Sequence, residues 1–262
     1  MTAPWSAARP ALGTWIKVPA PEVVEVLAMA GLDFLVIDGE HGTFDVRTMA
    51  TMISAARGHG IPAFVRVAGH APRDVQPALD SGAAGLFLPH VDSVDIARTV
   101  VESCRFPPLG NRGASPNTRA GNWGGLTAAP YLATGDEVTV VAQIECEEAV
   151  ADAESIAAVP GIDAVFIGAF DLAVSAGLKP GGEDARALVQ RTEAACRASG
   201  LSFGGVAASG ADAAVLLERG NHFVMVGSDV GFLGKGGREA ASEARAGVQR
   251  PQEAESSGVV AR

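Results

Sequence analysis

Short apolar runs recur along the chain, separated by longer stretches in which Ala, Leu and Val return at helical spacing among charged residues. Eight runs are centred near Ile16, Val36, Val65, Phe87, Val141, Phe166, Gly204 and Val224. Seven of them are strongly apolar, as strands buried on both faces of a parallel sheet require. The run Ser202-Phe203-Gly204-Gly205-Val206 is the weak one, because two glycines sit where branched side chains are usual. Helical stretches are predicted at 22–30, 45–58, 73–81, 93–104, 147–157, 184–199 and 211–219. Eight strand and helix units in alternation predict the α/β class and a closed (β/α)8 TIM barrel. An open doubly wound sheet is the other arrangement that such units adopt.

Two segments depart from this rhythm. Residues Phe106 to Asp136 are rich in Gly, Pro, Asn and Arg with little apolar periodicity, and a connection this long is expected to edge the active site. After Lys235 a final helix is predicted over 237–249, whereas 250–262 read as a disordered tail. No linker interrupts the pattern, so residues 1–249 are expected to form one barrel domain that includes its C-terminal helix.

Composition narrows the classes of function. The length of 262 residues suits one barrel, which needs about 250, and 48% hydrophobic with 19% charged residues supplies a large core. A formal net charge of −10 with scattered Lys and Arg excludes a nucleic-acid surface, so an anionic substrate must be held by local positive groups or a metal. Cys104, Cys146 and Cys196 are far apart, odd in number and without metal-type spacing, which reads as reduced thiols. There is no run of about 18 apolar residues, and Met1-Thr2-Ala3-Pro4-Trp5 lacks the charged and apolar regions of a secretory leader. A cytoplasmic protein without membrane contact is the expectation.

In such barrels chemistry lies at the carboxyl ends of the strands. The second run, Phe34-Leu35-Val36-Ile37-Asp38, empties into Gly39-Glu40-His41-Gly42 and brings two carboxylates and an imidazole to that end. His41 is the natural general base, since its unperturbed pKa lies near neutrality, while Asp38 or Glu40 as a cap of the next helix is the structural alternative. The third run, Ala63-Phe64-Val65-Arg66-Val67, sets a guanidinium among apolar neighbours and so demands an anion, either a substrate carboxylate or enolate or a neighbouring Asp. The fifth and sixth runs end in Glu145 and Asp171. Two oxygen donors on adjacent strands fit a hard divalent cation, and helix capping is again the alternative. Lys17, after the first run, is the one Schiff-base candidate, and Gly204-Gly205 with Gly227-Ser228 stand where phosphate-binding barrels hold phosphate.

Together the runs Val36-Ile37-Asp38-Gly39-Glu40-His41, Val65-Arg66-Val67, Pro107-Pro108-Leu109-Gly110-Asn111-Arg112-Gly113, Gln143-Ile144-Glu145, Phe166-Ile167-Gly168-Ala169-Phe170-Asp171-Leu172 and Val226-Gly227-Ser228-Asp229 resemble, in order, the HpcH/HpaI aldolases. These are class II pyruvate aldolases of the 4-hydroxy-2-oxoheptanedioate aldolase type, with a phosphoenolpyruvate/pyruvate-binding TIM barrel. The resemblance spans roughly residues 10–235. It implies an aldehyde-lyase that cleaves a 4-hydroxy-2-oxo acid to pyruvate and an aldehyde, in aromatic or sugar-acid catabolism, with Mg²⁺, Mn²⁺ or Co²⁺. It further implies a homo-oligomer, a hexamer built as a trimer of dimers. Carried over to this chain, it makes Glu145 and Asp171 metal ligands and Arg66 the stabiliser of the enolate. His41 manages proton transfer with Asp38 and Asp80, a neighbouring subunit being one source of these groups. Trp15, Gln143 and the backbone of Gly168, Ala169 and Phe170 line the pyruvate pocket.

The chain departs from the family pattern at Ala169 and Phe170, at His41-Gly42-Thr43-Phe44 and at Ala68-Gly69-His70, which bears on the aldehyde rather than the metal. A phosphate-binding isomerase or lyase, a lyase of coenzyme A thioesters like the citrate-lyase β subunit, and a silent binding protein are the competing readings.

Overall fold

A computed structural model describes residues 3–248. Eight strands, β1 (Ala11–Ile16), β2 (Phe34–Asp38), β3 (Ala63–Arg66), β4 (Gly85–Leu88), β5 (Thr139–Ile144), β6 (Ala164–Ile167), β7 (Ser202–Ala207) and β8 (Phe223–Ser228), pair in parallel with their sequence neighbours. The pairing of β1 with β8 closes the barrel, so the doubly wound sheet is excluded.

The helices are α1 (Pro21–Ala28), α2 (Val46–Gly58), α3 (Pro72–Asp80), α4 (Val94–Cys104), α5 (Ala128–Asp136), α6 (Glu147–Ala151), α7 (Ala153–Ala157), α8 (Ala169–Ser175), α9 (Glu183–Ser199), α10 (Gly210–Glu218) and α11 (Asp229–Val248). Their starts follow local chemistry. Asp45, Ser93 and Ser209 accept hydrogen bonds from the Thr48, Ile96 and Asp212 N–H groups at the heads of α2, α4 and α10. Proline opens α1 and α3, where its missing N–H costs nothing. The predicted helix 147–157 breaks at Asp152 into α6 and α7. Helix α11 starts eight residues before the predicted 237, because Gly231, Gly234, Gly236 and Gly237 hide its helical pattern. The chain divides into two compact units, one reaching to Asp229 and one beginning at Val230. The tail expected at 250–262, with residue 249, lies outside the described residues. Among the described residues no helix is long and apolar enough to cross a membrane.

Side chains of the strands alternate between two layers. Outward, Leu35, Ile37, Val65, Leu86, Val140, Ile144, Val165 and Ile167 pack with the helices in an aliphatic shell. Inward, Trp15, Phe34, Phe64, Phe87, Phe166 and Phe223 fill the barrel together with Trp5 from the N-terminal segment. Trp5 lies against Phe34, Phe64 and Phe223, with ring centroids 5.1, 5.3 and 4.3 Å apart. Rings of this size need space, and glycines on neighbouring strands provide it. A Cβ on Gly13 would stand 2.4 Å from the Phe34 ring, and one on Gly204 would stand 2.5 Å from the Phe223 ring. The weakness of the β7 run is therefore the imprint of an aromatic neighbour, not of a poor strand.

Candidate active site

Parallel register brings the third layer of inward positions together at the carboxyl end. Asp38 and Arg66 are direct partners across β2 and β3. Their side chains form a two-pronged ion pair, with Arg66 Nε and Nη2 donating to the two Asp38 oxygens at 2.8 and 2.7 Å. The Lys17 ammonium pairs with the same carboxylate, and the Glu40 and His41 N–H groups donate to it at 3.3 and 3.1 Å. Burial alone would push the Asp38 carboxyl up. The hydrogen bonds and charge of Arg66, with Lys17 and the His41 N–H, outweigh it and hold the group at about 2. The anion that Arg66 requires is thus supplied by the protein, as the structural alternative expected, and the Lys17 nitrogen is tied into an ion pair rather than free.

Glu40 continues the chain of charges. Arg66 Nη1 lies 3.0 Å from Glu40 Oε2, an ion pair whose geometry is not that of a hydrogen bond, and this buried oxygen accepts no hydrogen bond among the described residues. Arg66 also rests on the Trp15 ring, 4.4 Å from its centroid. His41 extends from the same turn with a side chain 60% exposed, its Nε2 3.9 Å from Glu40 Oε2. The turn is tight: a Cβ on Gly42 would meet the Asp38 carbonyl oxygen at 2.2 Å.

On the opposite wall stands Glu145, just past β5 and buried. Gln143 Nε2 donates to Glu145 Oε1 at 2.6 Å and the His90 N–H to Oε2 at 3.4 Å. Burial pushes the Glu145 carboxyl up, the His90 N–H and Gln143 oppose it, and the negative charges of Asp171 and Glu40 add to the rise. Glu145 caps no helix, since the Cys146 sulfur accepts the Ala149 N–H at the head of α6. Asp171 sits in the first turn of α8 rather than at a strand end, because β6 stops at Ile167 and the helix begins at Ala169 with Gly168 as its cap. A Cβ on Gly168 would fall 2.7 Å from Glu145 Oε1, so glycine lets the backbone approach the carboxylate. Phe170 projects from α8 with 63% of its surface exposed, and Ala169 precedes it.

These features fit a divalent cation. Glu145 is a buried carboxylate facing two further negative charges, and the Gln143 Oε1 beside it is buried with no partner among the described residues. No group of three or more His, Cys, Asp or Glu among the described residues converges as a metal cluster. A hard cation held by two carboxylates would take its remaining ligands from substrate and water.

Sequence reasoning missed His90. It follows β4 with φ 52°, and its ring lies 3.5 Å from Glu40 Oε1 through Nε2 and 3.7 Å from Glu145 Oε2 through Nδ1. The only signal was a polar residue immediately after the Leu86-Phe87-Leu88-Pro89 run.

One expectation is narrowed and another corrected. Within one chain Asp80 ends α3 at the far end of the barrel and pairs with Arg112 at 3.2 Å, so of the two sources expected for it beside His41 only the neighbouring subunit is left. The segment 106–136 connects α4 to β5, and a helix-to-strand connection lies at the amino ends of the strands, away from the mouth of the same barrel. Arg105, which donates to the Gly135 and Val138 carbonyls at 3.0 and 2.7 Å, and Tyr131, whose hydroxyl accepts the Ser115 N–H at 2.9 Å, hold it in place. A phosphate after β7 and β8 is also disfavoured. Asp229 there accepts the Lys17 and Val18 N–H groups at 2.8 to 3.0 Å and adds negative charge where a phosphate would sit. The three thiols are free, and burial pushes Cys104 and Cys196 up to about 12 and Cys146 up to about 11, so none is a ready nucleophile.

The family model described as HpcH/HpaI aldolase/citrate lyase matches residues 11–235. A 5-keto-4-deoxy-D-glucarate aldolase from Salmonella paratyphi C is 37% identical over 223 residues, covering 84% of this chain and 86% of that one. A 4-hydroxy-2-oxo-heptane-1,7-dioate aldolase from Salmonella typhimurium is 37% identical over 247 residues, 93% of each chain. Among solved structures, an HpcH/HpaI aldolase/citrate lyase family protein from Burkholderia cenocepacia superposes with a TM-score of 0.85 at 35% identity, covering 90% of this chain and 95% of that one. With the family model matching most of the chain and relatives 37% identical over most of its length, the chain belongs to the HpcH/HpaI aldolase/citrate lyase family.

Proposed function

We propose that the mouth of this barrel binds pyruvate beside a divalent cation and reversibly cleaves a 4-hydroxy-2-oxo acid to pyruvate and an aldehyde. The enzyme is an aldehyde-lyase of its family, and the observation that carries the finer reading is the buried, charge-crowded Glu145 next to the unpartnered Gln143 Oε1. Glu145 and Asp171 would hold Mg²⁺, Mn²⁺ or Co²⁺, whose charge supports the negative oxygen that develops when the C3–C4 bond breaks. Arg66 adds positive charge at the mouth, its Nε and Nη2 fixed by Asp38 and its Nη1 beside Glu40, so the guanidinium is preorganised before substrate arrives. His41, exposed and backed by Glu40, takes the proton of the C4 hydroxyl in cleavage and returns it in synthesis, directly or through water. Trp15 forms the floor beneath Arg66, and Gly168 to Phe170 form the wall beside Glu145.

A part for Asp80 in tuning His41 requires a second copy of the chain, because in one chain the two lie at opposite ends of the barrel; a hexamer built as a trimer of dimers is the assembly we infer. The phosphate-binding and thioester readings draw no support from the site, and relatives with 37% identity are aldolases.

The reading is tested by proton exchange at the pyruvate methyl group, followed by NMR in D₂O. Exchange is expected with Mg²⁺ or Mn²⁺ and lost with EDTA. Exchange that survives chelation would remove the metal from the reaction, and none under any condition would remove pyruvate.

A further inference from the structure

We propose that His90, acting with Glu40, determines the choice of the second substrate by reading a hydroxyl group next to the aldehyde carbon. The inference rests on the pyruvate aldolase reading and adds the class of acceptor, a hydroxyaldehyde.

The reactions assigned to Glu145, Asp171, Arg66 and His41 leave the His90 ring without a task, yet the fold holds it over the mouth at some cost. Its backbone has φ 52°, a left-handed conformation that residues other than glycine seldom adopt. Three contacts impose it. His70 Nε2 bonds the Pro89 carbonyl at 2.5 Å, the His90 N–H reaches Glu145, and the Val91 N–H donates to the Gln143 carbonyl at 3.2 Å. Thus the turn is anchored from the loop after β3 on one side and from β5 on the other, while the imidazole itself stays 66% exposed. Pyruvate placed against Glu145 and Gln143 leaves the outer part of the mouth, where His90, His41 and Phe170 project, for the partner it reacts with.

The spacing selects the partner's chemistry. His90 Nε2 and Glu40 Oε1 stand 3.5 Å apart, at the limit of a hydrogen bond, and the Glu40 carboxylate has its other oxygen without a hydrogen bond among the described residues. A hydroxyl group both donates and accepts, so it can give its proton to Glu40 and receive one from His90 Nε2. An alkyl group there satisfies neither. A carboxylate only accepts, and it would face Glu40 and Glu145 as like charges.

Three two-carbon aldehydes separate these cases: glycolaldehyde, acetaldehyde and glyoxylate, carrying a hydroxyl, a methyl hydrogen and a carboxylate. The full chain with Mg²⁺ or Mn²⁺ is assayed for addition of pyruvate to each, beside methyl exchange of pyruvate alone. Comparing wild type with His90→Leu cancels the aldehydes' own reactivities. The kcat/KM ratio of glycolaldehyde to acetaldehyde is expected to fall about tenfold, as for loss of one partly exposed hydrogen bond. Methyl exchange should stay near wild type, and His90→Gln, which keeps a donor, should recover part of the ratio. An unchanged ratio in His90→Leu, no recovery in His90→Gln, or a loss of exchange in step with the ratio would each overturn the proposal. Absence of exchange in the wild type is a different failure, that of the pyruvate reading, and would take this inference with it.

Discussion

The two ends of the barrel are filled by opposite means. At the amino ends of the strands, Trp5, Phe34, Phe64 and Phe223 close the interior with stacked and edge-on rings and no ionisable group among them. At the carboxyl ends, Lys17, Asp38, Arg66, Glu40 and Glu145 occupy the same kind of inward position with charge. Close packing of rings stabilises through area removed from water and tolerates no gap. A buried ion network is a poor source of stability in comparison, because desolvation offsets much of the attraction, but it fixes charges where a reaction needs them. Stability resides at one end and chemistry at the other.

Substitutions can break that division. Arg66→Ala removes the cation nearest Glu40 and leaves Asp38 with Lys17 as its remaining cation, and is expected to cost about 3 kcal/mol in denaturant unfolding, with turnover falling as well. Turnover at wild-type level would remove Arg66 from the reaction. Trp5→Ala should cost a similar amount, about 3–5 kcal/mol, yet leave kcat/KM of the folded fraction unchanged, since its ring stacks on Phe34, Phe64 and Phe223 at the amino ends of the strands. A specific loss of activity there would mean that the two ends are coupled.

Metal and acid sharpen the comparison further. The Glu145 carboxyl is raised in the folded protein above its ordinary 4.5, so it favours the fold below that value and the benefit is lost as pH rises through the raised value. A cation bound at Glu145 offsets this loss, and at a hundredfold excess over Kd it should stabilise by about 2.7 kcal/mol. The Tm increase with Mn²⁺ is expected to be larger at pH 7 than at pH 5 and to vanish in Glu145→Gln. Equal shifts at both pH values, or a shift that persists in the variant, would place the cation elsewhere. The smallest effect belongs to Asp38, whose carboxyl is held at about 2 against an ordinary 3.8. Its contribution is present above pH 3.8 and disappears as pH falls towards 2, a change of about 2 kcal/mol. Urea unfolding between pH 4 and pH 2 should show this component in wild type and lack it in Asp38→Asn.

Much of the molecule was legible from residue order alone. Apolar runs marked all eight strands, the seventh only weakly, and the polar residues at or after their ends, Asp38, Arg66, Glu145 and Asp171, pointed to the mouth. Other features were hidden for definite reasons. Apolarity on both faces conceals which side chains point inward, so the division into aliphatic shell and aromatic interior emerged only on closure of the barrel. His90 was invisible because its role depends on carboxylates 50 and 55 positions away in sequence. Asp80 was set with His41 by the family resemblance alone, and sequence does not show that one chain carries it to the far end of the barrel.

Sequence by itself determined the alternation of strand and helix, the family, and the residue types available for chemistry, because these follow from local periodicity and from motifs a few residues long. Only the tertiary structure decided that Arg66 is clamped by Asp38 and Glu40, that Lys17 is engaged, that Phe223 occupies the space Gly204 leaves, and that His90 overhangs Glu145. Those outcomes depend on the register between strands and on the closure of β1 against β8, and both are settled by side chains meeting across distances in sequence that no local pattern spans.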